Sequence, residues 1–506
     1  MGRSLSLYGP VVLLEKLVTF GRVVLLTWLL GRSQYGVWAL GVMVFSVFAS
    51  LATLGSNESV ARYVSYYHAR GRLREFYRRA GVWICLLAAG TTGLGLLGSV
   101  LIADFLASSS GRILELSSDE RLMVVLLGLA NGVLMALYHN VQSCLRAMRT
   151  FRVLAVVDLA YTALFTGLAL GGAAVLPSGH TILVAHAGSL AVMLVLGGYA
   201  SHRAVAQLAR MQEVEPQAPQ EPPPQEVLVG GARGVADAKD APMMARLLRF
   251  GLIAMIGPML WQLGNQVSAW FVNRYHGPEA LGLYAPFRQL CQPVWILSGI
   301  LWGLIFSHVA THWESGLRQT ALRMLDLTYK AVVLSLMTLS VLMLATSRWW
   351  SLILKAEYRG DLRLLGGLLT FFQCSANLGL ASIAAKLRER PLVIVVMVGC
   401  GVGVNAGLAW LWVPQGGVVA AANAAGLGML SACALGVVYL LFSGFKAHPA
   451  THVLALAPAA LLLPEPYPAA VWLAFLGLTF LSPWILSRWE KQTLLGYISS
   501  LGGRRA

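Results

Sequence analysis

The feature that most constrains this 506-residue chain is a series of apolar segments, each about twenty residues long, separated by short loops. A helix needs about 20 apolar residues to cross the ~30 Å hydrocarbon core of a bilayer. Runs such as 81–103 and 391–413 do not alternate apolar with polar residues, as the strands of a membrane β-barrel do. Only 12% of the residues are charged, roughly half the usual level in soluble proteins. We therefore predict an all-α, polytopic membrane protein.

The positions of these segments predict about fourteen transmembrane helices. The thirteenth segment is short and contains Pro458, so the sequence alone does not decide whether it crosses the bilayer completely. The predicted spans cover residues 8–30, 36–60, 80–103, 121–143, 153–176, 181–201, 248–272, 282–308, 329–347, 361–385, 391–413, 417–442, 450–464 and 469–487.

The basic residues predict the orientation of the chain. Of the 38 Lys and Arg residues, 27 fall in loops on the side of the N-terminus and eight in loops on the other side. The 27 include Lys330, at the end of the predicted loop 309–330. Loops that stay in the cytoplasm carry the excess of Lys and Arg in multi-pass proteins, so both termini are predicted to be cytoplasmic. The same rule accounts for the net charge of +16, and we expect no nucleic-acid partner.

A polar, Pro-rich stretch divides the predicted spans into two groups. It contains Glu221-Pro-Pro-Pro-Gln-Glu226, a composition typical of a disordered linker. The predicted domains are a six-helix lobe at 1–201, a cytoplasmic linker at 202–246, a second six-helix lobe at 247–445, and C-terminal helices with a tail at 446–506.

Two short segments of the lobes match each other. Tyr35-Gly-Val-Trp-Ala39 and Leu281-Gly-Leu-Tyr-Ala285 both follow the first loop of their lobe and lie 246 residues apart. Six intervening spans leave the two copies pointing the same way. The pattern predicts parallel repeats, related by an axis along the membrane normal.

Several polar side chains share one face of the first span. A charge at membrane depth is costly and usually faces a cavity or a partner. Glu15, Thr19 and Arg22 lie on one helix face, with Lys16 beside it. We interpret this face as the lining of a polar cavity, in which Arg22 and Lys16 can bind an anion. The alternatives are an internal pair of Glu15 with Arg22 or Lys16, and a Lys16 that reaches the cytoplasmic interface.

The spans of the second lobe carry one cation and several amides. We interpret Arg288, in the eighth span, as a second cation facing the cavity. The alternative is that its side chain extends to the outer membrane interface. Amides also join helices to one another by hydrogen bonds, so each has a structural alternative. The candidate substrate-binding amides are Gln262, Asn265, Gln266, Gln373 and Asn377.

Asp158 is the candidate for coupling transport to a proton or another cation. It is acidic and lies near the cytoplasmic end of the fifth span. The alternative is an ion pair with Arg149 or Arg152 in the preceding loop.

No catalytic motif accompanies these residues. The sequence contains no P-loop, HExxH or GxSxG, and its six cysteines form no CxxC pair. The loops are too short for a nucleotide-binding domain. We therefore expect transport rather than enzymatic catalysis, without a cofactor or a metal.

Two hairpins of the chain resemble those of a known family. Arg32-Ser-Gln-Tyr-Gly-Val-Trp-Ala-Leu40, followed by Leu54-Gly55 and Ala61-Arg62-Tyr63, resembles the first hairpin of bacterial polysaccharide flippases. These are the O-antigen and exopolysaccharide translocases of the multidrug/oligosaccharidyl-lipid/polysaccharide exporter superfamily. Tyr275-His-Gly-Pro-Glu-Ala-Leu-Gly-Leu-Tyr-Ala285 resembles the second copy of that hairpin.

The resemblance implies a fold, a substrate and a location. The fold is two six-helix lobes around a central cavity, plus two C-terminal helices, in the bacterial inner membrane. The activity is alternating access that moves an undecaprenyl-diphosphate-linked oligosaccharide from the cytoplasmic to the periplasmic leaflet, for lipopolysaccharide or exopolysaccharide biosynthesis. The related lipid II flippases hold the diphosphate with arginines on the first and eighth helices, which carry Arg22 and Arg288 here. Expected partners are the lipid-linked substrate, membrane lipid, and a polysaccharide polymerase with its chain-length machinery.

Three alternative functions make different demands on the sequence. A drug/cation antiporter of the same superfamily would favour an acidic, aromatic cavity, whereas three cations lie within the spans here. A membrane glycosyltransferase or polymerase of the same pathway would be expected to have a large outer loop, and the longest here are about 104–120 and 348–360. A membrane scaffold would keep the hydropathy and need no cavity charges.

Overall fold

The computed structural model describes residues 2–68, 71–106, 116–148, 150–214, 243–359, 362–388, 390, 392–445 and 448–493. These residues are helical almost throughout, and no β-strand occurs among them. The long apolar runs explain this, because in lipid a helix can satisfy every backbone hydrogen bond within its own segment. The predicted all-α class is confirmed.

The described part of the first lobe contains six crossing helices and two short accessory helices, α3 and α5. Between α2 and α3 the chain turns at Leu54 and Gly55, whose φ angles are +41° and +71°. The helices are α1 (Gly2–Leu29), α2 (Arg32–Thr53), α3 (Ser56–His68), α4 (Leu73–Leu97), α5 (Ser99–Phe105), α6 (Ser118–Ala147), α7 (Phe151–Val175) and α8 (Gly179–Val214).

Two helices of the second lobe each bend at a glycine, where one crossing ends and the next begins. After the bend in α9, residues 278–291 are too few to cross the bilayer alone, and α10 completes that crossing. Gly277 in α9 has φ +77° and Gly417 in α14 has φ +56°, a conformation that glycine adopts without steric cost. We call the parts before and after these glycines the first and second limbs. The helices are α9 (Met243–Cys291), α10 (Pro293–Glu314), α11 (Arg318–Ala345), α12 (Ser347–Trp350), α13 (Leu364–Leu387) and α14 (Leu392–Phe442).

Hydropathy and length support the membrane assignment. Within the described residues, eight helices are long and apolar enough to cross a membrane: α2, α4, α6, α7, α8, α11, α13 and α14. Since α14 has 51 residues and about 20 suffice for one crossing, it has length for two. Together with α1, α9, α10 and the C-terminal helices, the arrangement agrees with the prediction of about fourteen spans.

The two lobes meet at a pair of equivalent glycines. A Cβ atom on Gly36 would lie 1.8 Å from the carbonyl oxygen of Pro278, and one on Gly282 would lie 1.8 Å from that of Arg32. Arg32 and Pro278 each stand four residues before the equivalent glycine of their own repeat. The contact is therefore reciprocal, as a two-fold axis requires, and it confirms the parallel repeats.

Around these glycines each lobe also reaches across to the other. The end of α5 contacts the first limb of α9, and the segment after α12 contacts the end of α1. Four hydrogen bonds to backbone oxygens make these contacts: Trp28 Nε1 to Ile353 at 2.7 Å, Tyr358 Oη to Leu30 at 3.0 Å, Trp270 Nε1 to Phe105 at 3.3 Å and Asn273 Nδ2 to Leu106 at 2.8 Å.

We call this surface the hairpin face, formed by residues 28–36, 105–106, 270–282 and 351–358. The opposite surface, which includes residues 55–68, 71–72 and 314–318, is the terminal face. The backbone contacts close the two lobes against each other at the hairpin face in this structure.

The thirteenth span combines an α-helix, α15 (Pro449–Leu456), with a 3₁₀ helix, Ala457–Leu462. Near the start of this segment, Thr451 Oγ1 donates to Asp326, which lies in the part of α11 close to the terminal face. Beyond the end of the segment, Glu465 accepts from Ser347, which follows the opposite end of α11. The segment therefore runs beside nearly the whole length of α11. The fourteenth span is α16 (Tyr467–Leu481).

Pro458 explains why the thirteenth span changes helix type. Proline has no N–H group, so the carbonyl of Leu454, four residues earlier, loses its helical donor. Asn377 Nδ2 on α13 donates to this oxygen at 3.4 Å and to that of Ala455 at 3.2 Å. Thr370 Oγ1, two turns away on the same face of α13, donates to the Pro458 oxygen at 3.2 Å.

A buried ion cluster fastens the C-terminal region to α11. Lys330 is 1% exposed, and its Nζ lies 2.9 Å from both Asp326 Oδ2 and Glu490 Oε1. Its prediction as a loop residue is wrong, because α11 begins twelve residues earlier at Arg318. Burial opposes ionisation of Glu490, but the hydrogen bonds from Lys330 and from the Ser487 amide hold its pKa below the usual value.

The helices bordering the predicted linker are longer than expected. Helix α8 continues to Val214, so the chain is still helical where the linker was predicted to begin at residue 202. Helix α9 begins at Met243, before the predicted end of the linker at 246. The remainder of the predicted linker, 215–242, lies outside the described residues.

Candidate functional site

Two arginines lie at similar depths below the hairpin face, one in each lobe. Arg22 stands seven residues before the end of α1, about 10 Å along the helix. Arg288 stands ten residues after the start of the second limb of α9, about 15 Å along it. The structure places the two in different lobes and not in contact with each other.

Arg22 is held between α1 and α7 by neutral groups. Its Nη1 donates to Thr166 Oγ1 at 3.3 Å, and its guanidinium carbon lies 4.2 Å from the centre of the Phe165 ring. A cation above an aromatic face is attracted by the ring quadrupole. Within the described part of the chain, no carboxylate lies within ion-pair distance of Arg22.

Glu15 and Lys16 resolve one of the alternatives raised by the sequence. Lys16 Nζ lies 2.7 Å from Glu15 Oε1, so Glu15 pairs with its neighbour and not with Arg22. Both side chains are partly exposed, at 19% for Glu15 and 30% for Lys16. Thr19 donates back to the Glu15 carbonyl at 2.9 Å. The polar face of α1 therefore contains a neutral ion pair followed, two turns later, by an unpaired cation.

Arg288 is likewise surrounded by neutral groups. Its Nη1 donates to Gln266 Oε1 on the first limb of α9 at 3.2 Å, and Gln266 Nε2 donates to Ser46 Oγ on α2 at 2.8 Å. Tyr284, one turn before Arg288 on the same limb, is buried beside it. No acidic side chain of the described residues pairs with Arg288.

A small cavity of about 10 Å³ lies beside Arg288 within the second lobe. Asn265, Ser268 and Tyr284 supply the polar part of its lining. A cavity of this size holds about one water molecule. In this closed structure it has no room for a phosphate group or a sugar. Gln262, one turn from Gln266 on the same helix, is half-buried.

Gln373 and Asn377 lie outside this arrangement. Ser340 Oγ on α11 donates to Gln373 Oε1 at 3.2 Å, and Gln373 Nε2 donates to Asn377 Oδ1 at 3.2 Å. Asn377 Nδ2 donates to two carbonyls of the thirteenth span. Both amides are therefore buried and hydrogen-bonded between helices. In this structure both amides join helices to one another, and their role as substrate ligands stays a prediction.

Asp158 is a buried carboxylate held by neutral donors. Its Oδ1 accepts from Tyr138 Oη at 3.0 Å and from Gln142 Nε2 at 2.7 Å, both on α6. The nearest charged groups acting on it are Glu15 and Arg146. The alternative pairing with Arg152 is not formed among the described residues, and Arg149 lies outside them.

A polar network beside Arg22 was not among the predicted site residues. Asn131 Nδ2 donates to the carbonyls of Leu127 and Leu183, so its Oδ1 is left to accept from His186 Nδ1 at 2.7 Å. His186 Nε2 then accepts from Tyr161 Oη at 2.7 Å, which assigns a neutral imidazole.

Aromatic rings enclose this histidine. Phe45 stacks on His186 with centroids 4.9 Å apart, and Trp38 meets it edge-on at 5.8 Å. Phe165 contacts both His186, at 4.7 Å, and Arg22. Polar residues within apolar spans were the available sequence signal, but helix spacing does not show which rings surround a histidine.

The main property of this site is that neutral groups, and not carboxylates, surround its two arginines. A cation at membrane depth costs about 3 kcal/mol on insertion scales, and a carboxylate partner normally offsets such a cost. Here hydroxyl, amide and aromatic groups take that place, and the guanidinium donors are not saturated. Such a group can accept an anionic ligand without first breaking an ion pair.

Comparison with known proteins gives a family and a fold. The family described as "Polysaccharide biosynthesis protein" matches residues 2–306, more than half of the chain. No curated protein sequence matches the chain. Within the described residues, no group of three or more His, Cys, Asp or Glu side chains could hold a metal ion.

Two solved structures share the arrangement of helices. "Lipid II flippase MurJ, inward closed conformation" gives a TM-score of 0.66 at 11% identity, covering 94% of this chain and 98% of that one. "Inward-facing conformation of a multidrug resistance MATE family transporter of the MOP superfamily" gives 0.58 at 11% identity, covering 85% and 95%. At these identities the likeness shows the fold alone.

Proposed function

Because this chain belongs to the polysaccharide biosynthesis protein family, we propose that it is a flippase for an undecaprenyl-diphosphate-linked oligosaccharide. The substrate moves from the cytoplasmic to the periplasmic leaflet of the bacterial inner membrane by alternating access. The hairpin face is the periplasmic side and both termini are cytoplasmic, as the distribution of Lys and Arg predicts.

The observation that carries this proposal is the pair of half-buried arginines without acidic partners among the described residues. A lipid-linked oligosaccharide presents an anionic diphosphate, and guanidinium groups bind phosphate oxygens through charge-assisted hydrogen bonds. Arg22 and Arg288 offer one such group from each lobe at a similar depth. The half-buried Gln262 and the polar lining at Asn265 suit hydroxyl-rich sugar, while Glu15 and Lys16 contribute a polar wall.

The closed hairpin face agrees with a carrier that has not yet opened to release its substrate to the periplasm. Backbone contacts at Gly36 and Gly282 leave no room for a sugar between the lobes on that side. Release to the periplasm therefore requires the lobes to separate there. The polyprenyl tail is apolar and stays in lipid while the head moves.

Asp158 is the proposed coupling site. A carboxylate at membrane depth without a cationic partner is poorly solvated when ionised, so it can exchange a proton during the cycle. An Asp158→Asn variant should bind substrate normally but lose the dependence of transport on an imposed proton gradient. Retained dependence on the gradient would remove Asp158 from this role.

The decisive experiment is deletion of the gene followed by mass spectrometry of the lipid-linked sugars in the inner membrane. A flippase defect leaves a complete polyprenyl-diphosphate oligosaccharide on the cytoplasmic side, which also identifies the sugar. An incomplete glycan would instead assign the chain to assembly, as a glycosyltransferase or polymerase.

Complementation with variants then tests the site. Arg22→Gln and Arg288→Gln should each reduce surface glycan at normal protein levels, and the double variant should abolish it. Arg318→Gln is the matched control, because Arg318 is exposed at the terminal end of α11. The partners expected for this pathway, a polymerase and its chain-length machinery, would act on the product after flipping.

The drug/cation antiporter remains the second candidate, because a MATE transporter shares the fold. Two unpaired cations inside the lobes would repel a cationic drug, which favours an anionic substrate instead. Resistance to cationic dyes that depends on this chain and survives loss of both arginines would support the antiporter.

A further inference from the structure

One contact between the lobes differs in kind from the others. At the hairpin face the lobes meet through backbone atoms and through side chains that donate to backbone oxygens, whereas Gln266 of α9 and Ser46 of α2 meet through two side chains, at 2.8 Å. Ser46 lies fourteen residues along α2 from Arg32, about 20 Å from the hairpin face. Among the described residues this is the side-chain-to-side-chain hydrogen bond that joins the lobes near mid-membrane.

The orientation of the Gln266 amide is imposed by its neighbours. Arg288 can only donate, so the amide oxygen must face it, at 3.2 Å. The amide nitrogen is thereby presented to Ser46. The Ser46 hydroxyl donates to the Met43 carbonyl at 3.2 Å, which leaves its oxygen lone pair to accept from Gln266. The chain Arg288–Gln266–Ser46 therefore has one consistent direction of donation.

We infer that Gln266 is a positioning residue that transmits anion binding at Arg288 to the contact between the lobes. This inference rests on the proposed function, in which Arg288 binds a diphosphate. A phosphate carries a full negative charge and can accept two parallel bonds from a guanidinium, so it competes strongly with the uncharged amide oxygen of Gln266 for Arg288. Once the guanidinium turns to phosphate, nothing fixes the amide oxygen, and the amide no longer has to present its nitrogen to Ser46.

The consequence is a release mechanism. Loss of the Gln266–Ser46 bond removes the side-chain tie between α2 and α9 near mid-membrane and leaves the glycine contacts and the four hydrogen bonds to backbone oxygens at the hairpin face. Binding of the substrate diphosphate thus favours separation of the lobes. The empty carrier keeps the tie and stays closed.

The test measures the distance between the lobes with and without ligand. Spin labels are placed at Leu176→Cys and Gln415→Cys, exposed positions of the first and second lobes. The background lacks the exposed Cys85 and Cys400, and the other four cysteines are buried. The protein is held in nanodiscs of zwitterionic lipid, which carries no net charge. The added undecaprenyl diphosphate is then the anionic phosphate ligand, and its amount is varied.

Four variants separate the tie from general damage. Ser46→Ala and Gln266→Leu remove the bond between the lobes, Ser46→Thr keeps a hydroxyl, and Ser50→Ala is the matched control. Ser50 lies one turn further along α2 and donates to the Ser46 carbonyl within its own helix.

We expect undecaprenyl diphosphate to shift the unmodified chain toward the longer distance. Ser46→Ala and Gln266→Leu should show the longer distance before ligand is added and shift little afterwards. Ser46→Thr and Ser50→Ala should behave like the unmodified chain. Ser46→Ala should bind the ligand at least as tightly as the unmodified chain, because Arg288 is untouched and binding no longer has to break the tie.

The outcomes test the role of Gln266 separately from the proposed flippase function. If the unmodified chain binds the ligand and shifts, but Ser46→Ala matches Ser50→Ala in both states, the role of Gln266 is wrong and the flippase proposal stands. If the unmodified chain does not bind undecaprenyl diphosphate, the proposed function fails and the inference fails with it.

Discussion

Two kinds of cation occur within the helices of the described residues, the buried Lys330 and the half-buried Arg22 and Arg288, and they differ in their partners. Lys330 is enclosed by Asp326 and Glu490, each 2.9 Å from its ammonium group. Arg22 and Arg288 are enclosed by a hydroxyl, an amide and aromatic rings. Where a cation joins helices, the chain supplies acids for it, whereas the candidate site leaves cations unpaired. The contrast separates side chains that hold the fold from those available to a ligand.

The largest effect is expected at the paired cation. Lys330→Met leaves two carboxylates buried without a cation, which should lower the free energy of unfolding by about 3–5 kcal/mol. Unfolding in an SDS titration measures this. Lys355→Met is the control, because Lys355 pairs with Glu357 at the surface and should cost less than about 1 kcal/mol. Equal losses in both variants would contradict a special role for the buried cluster.

A triple variant should recover much of that loss. Lys330→Met with Asp326→Asn and Glu490→Gln removes all three charges, and neutral replacements of a buried ionic cluster are often well tolerated. Gln at position 490 can keep the capping contact with Ser487 that Glu490 makes now, with Ser487 N to Oε2 at 2.7 Å. We expect at least half of the lost stability to return in the same titration. If the triple variant is as unstable as Lys330→Met, lost packing and not the unpaired charge causes the loss of stability.

An intermediate effect is expected where a predicted ligand has a structural role. Asn377→Leu removes the donor to the Leu454 and Ala455 carbonyls and should cost about 1 kcal/mol of unfolding free energy. The apparent affinity of the folded protein for the lipid-linked substrate should not change. A weaker affinity at full stability would place Asn377 in the binding site.

The smallest effect on stability is expected at an unpaired cation. Arg288→Met removes a charge that has no acidic partner, so the free energy of unfolding should stay within about 1 kcal/mol of the unmodified value or rise. Flipping should nevertheless be lost. A loss of stability comparable with that of Lys330→Met would show that Arg288 has a structural role after all, and the comparison between the two kinds of cation would fail.

The sequence predicted the membrane spans and the repeat because both depend on local signals. A run of apolar residues needs only its own composition, and Gly36 and Gly282 lie in matching segments. The reciprocal packing of these glycines then follows from the two-fold relation. The structure adds that α8 and α9 extend into the predicted linker at both ends, up to Val214 and from Met243.

The candidate site was predicted less completely, because its residues depend on contacts distant in sequence. Arg22 and Arg288 were visible as charges within apolar runs. The periodicity of α13 placed Gln373 and Asn377 on one face but did not show that the Pro458 segment covers it. The i,i+4 spacing of Asp326 and Lys330 was a local sign of their pairing, whereas Glu490 lies 160 residues from Lys330. The rings around His186, on α8, come from two other helices, α2 and α7.

The mixed helix of the thirteenth span also affects the surrounding lipid. Its eight α-helical and six 3₁₀ residues extend about 24 Å at rises of 1.5 and 2.0 Å per residue. The hydrocarbon core of a typical bilayer is ~30 Å thick. Lipid beside a short hydrophobic element compresses to match it. The C-terminal flank of the second lobe therefore sits in a locally thinner bilayer than the flank formed by the 25-residue α7.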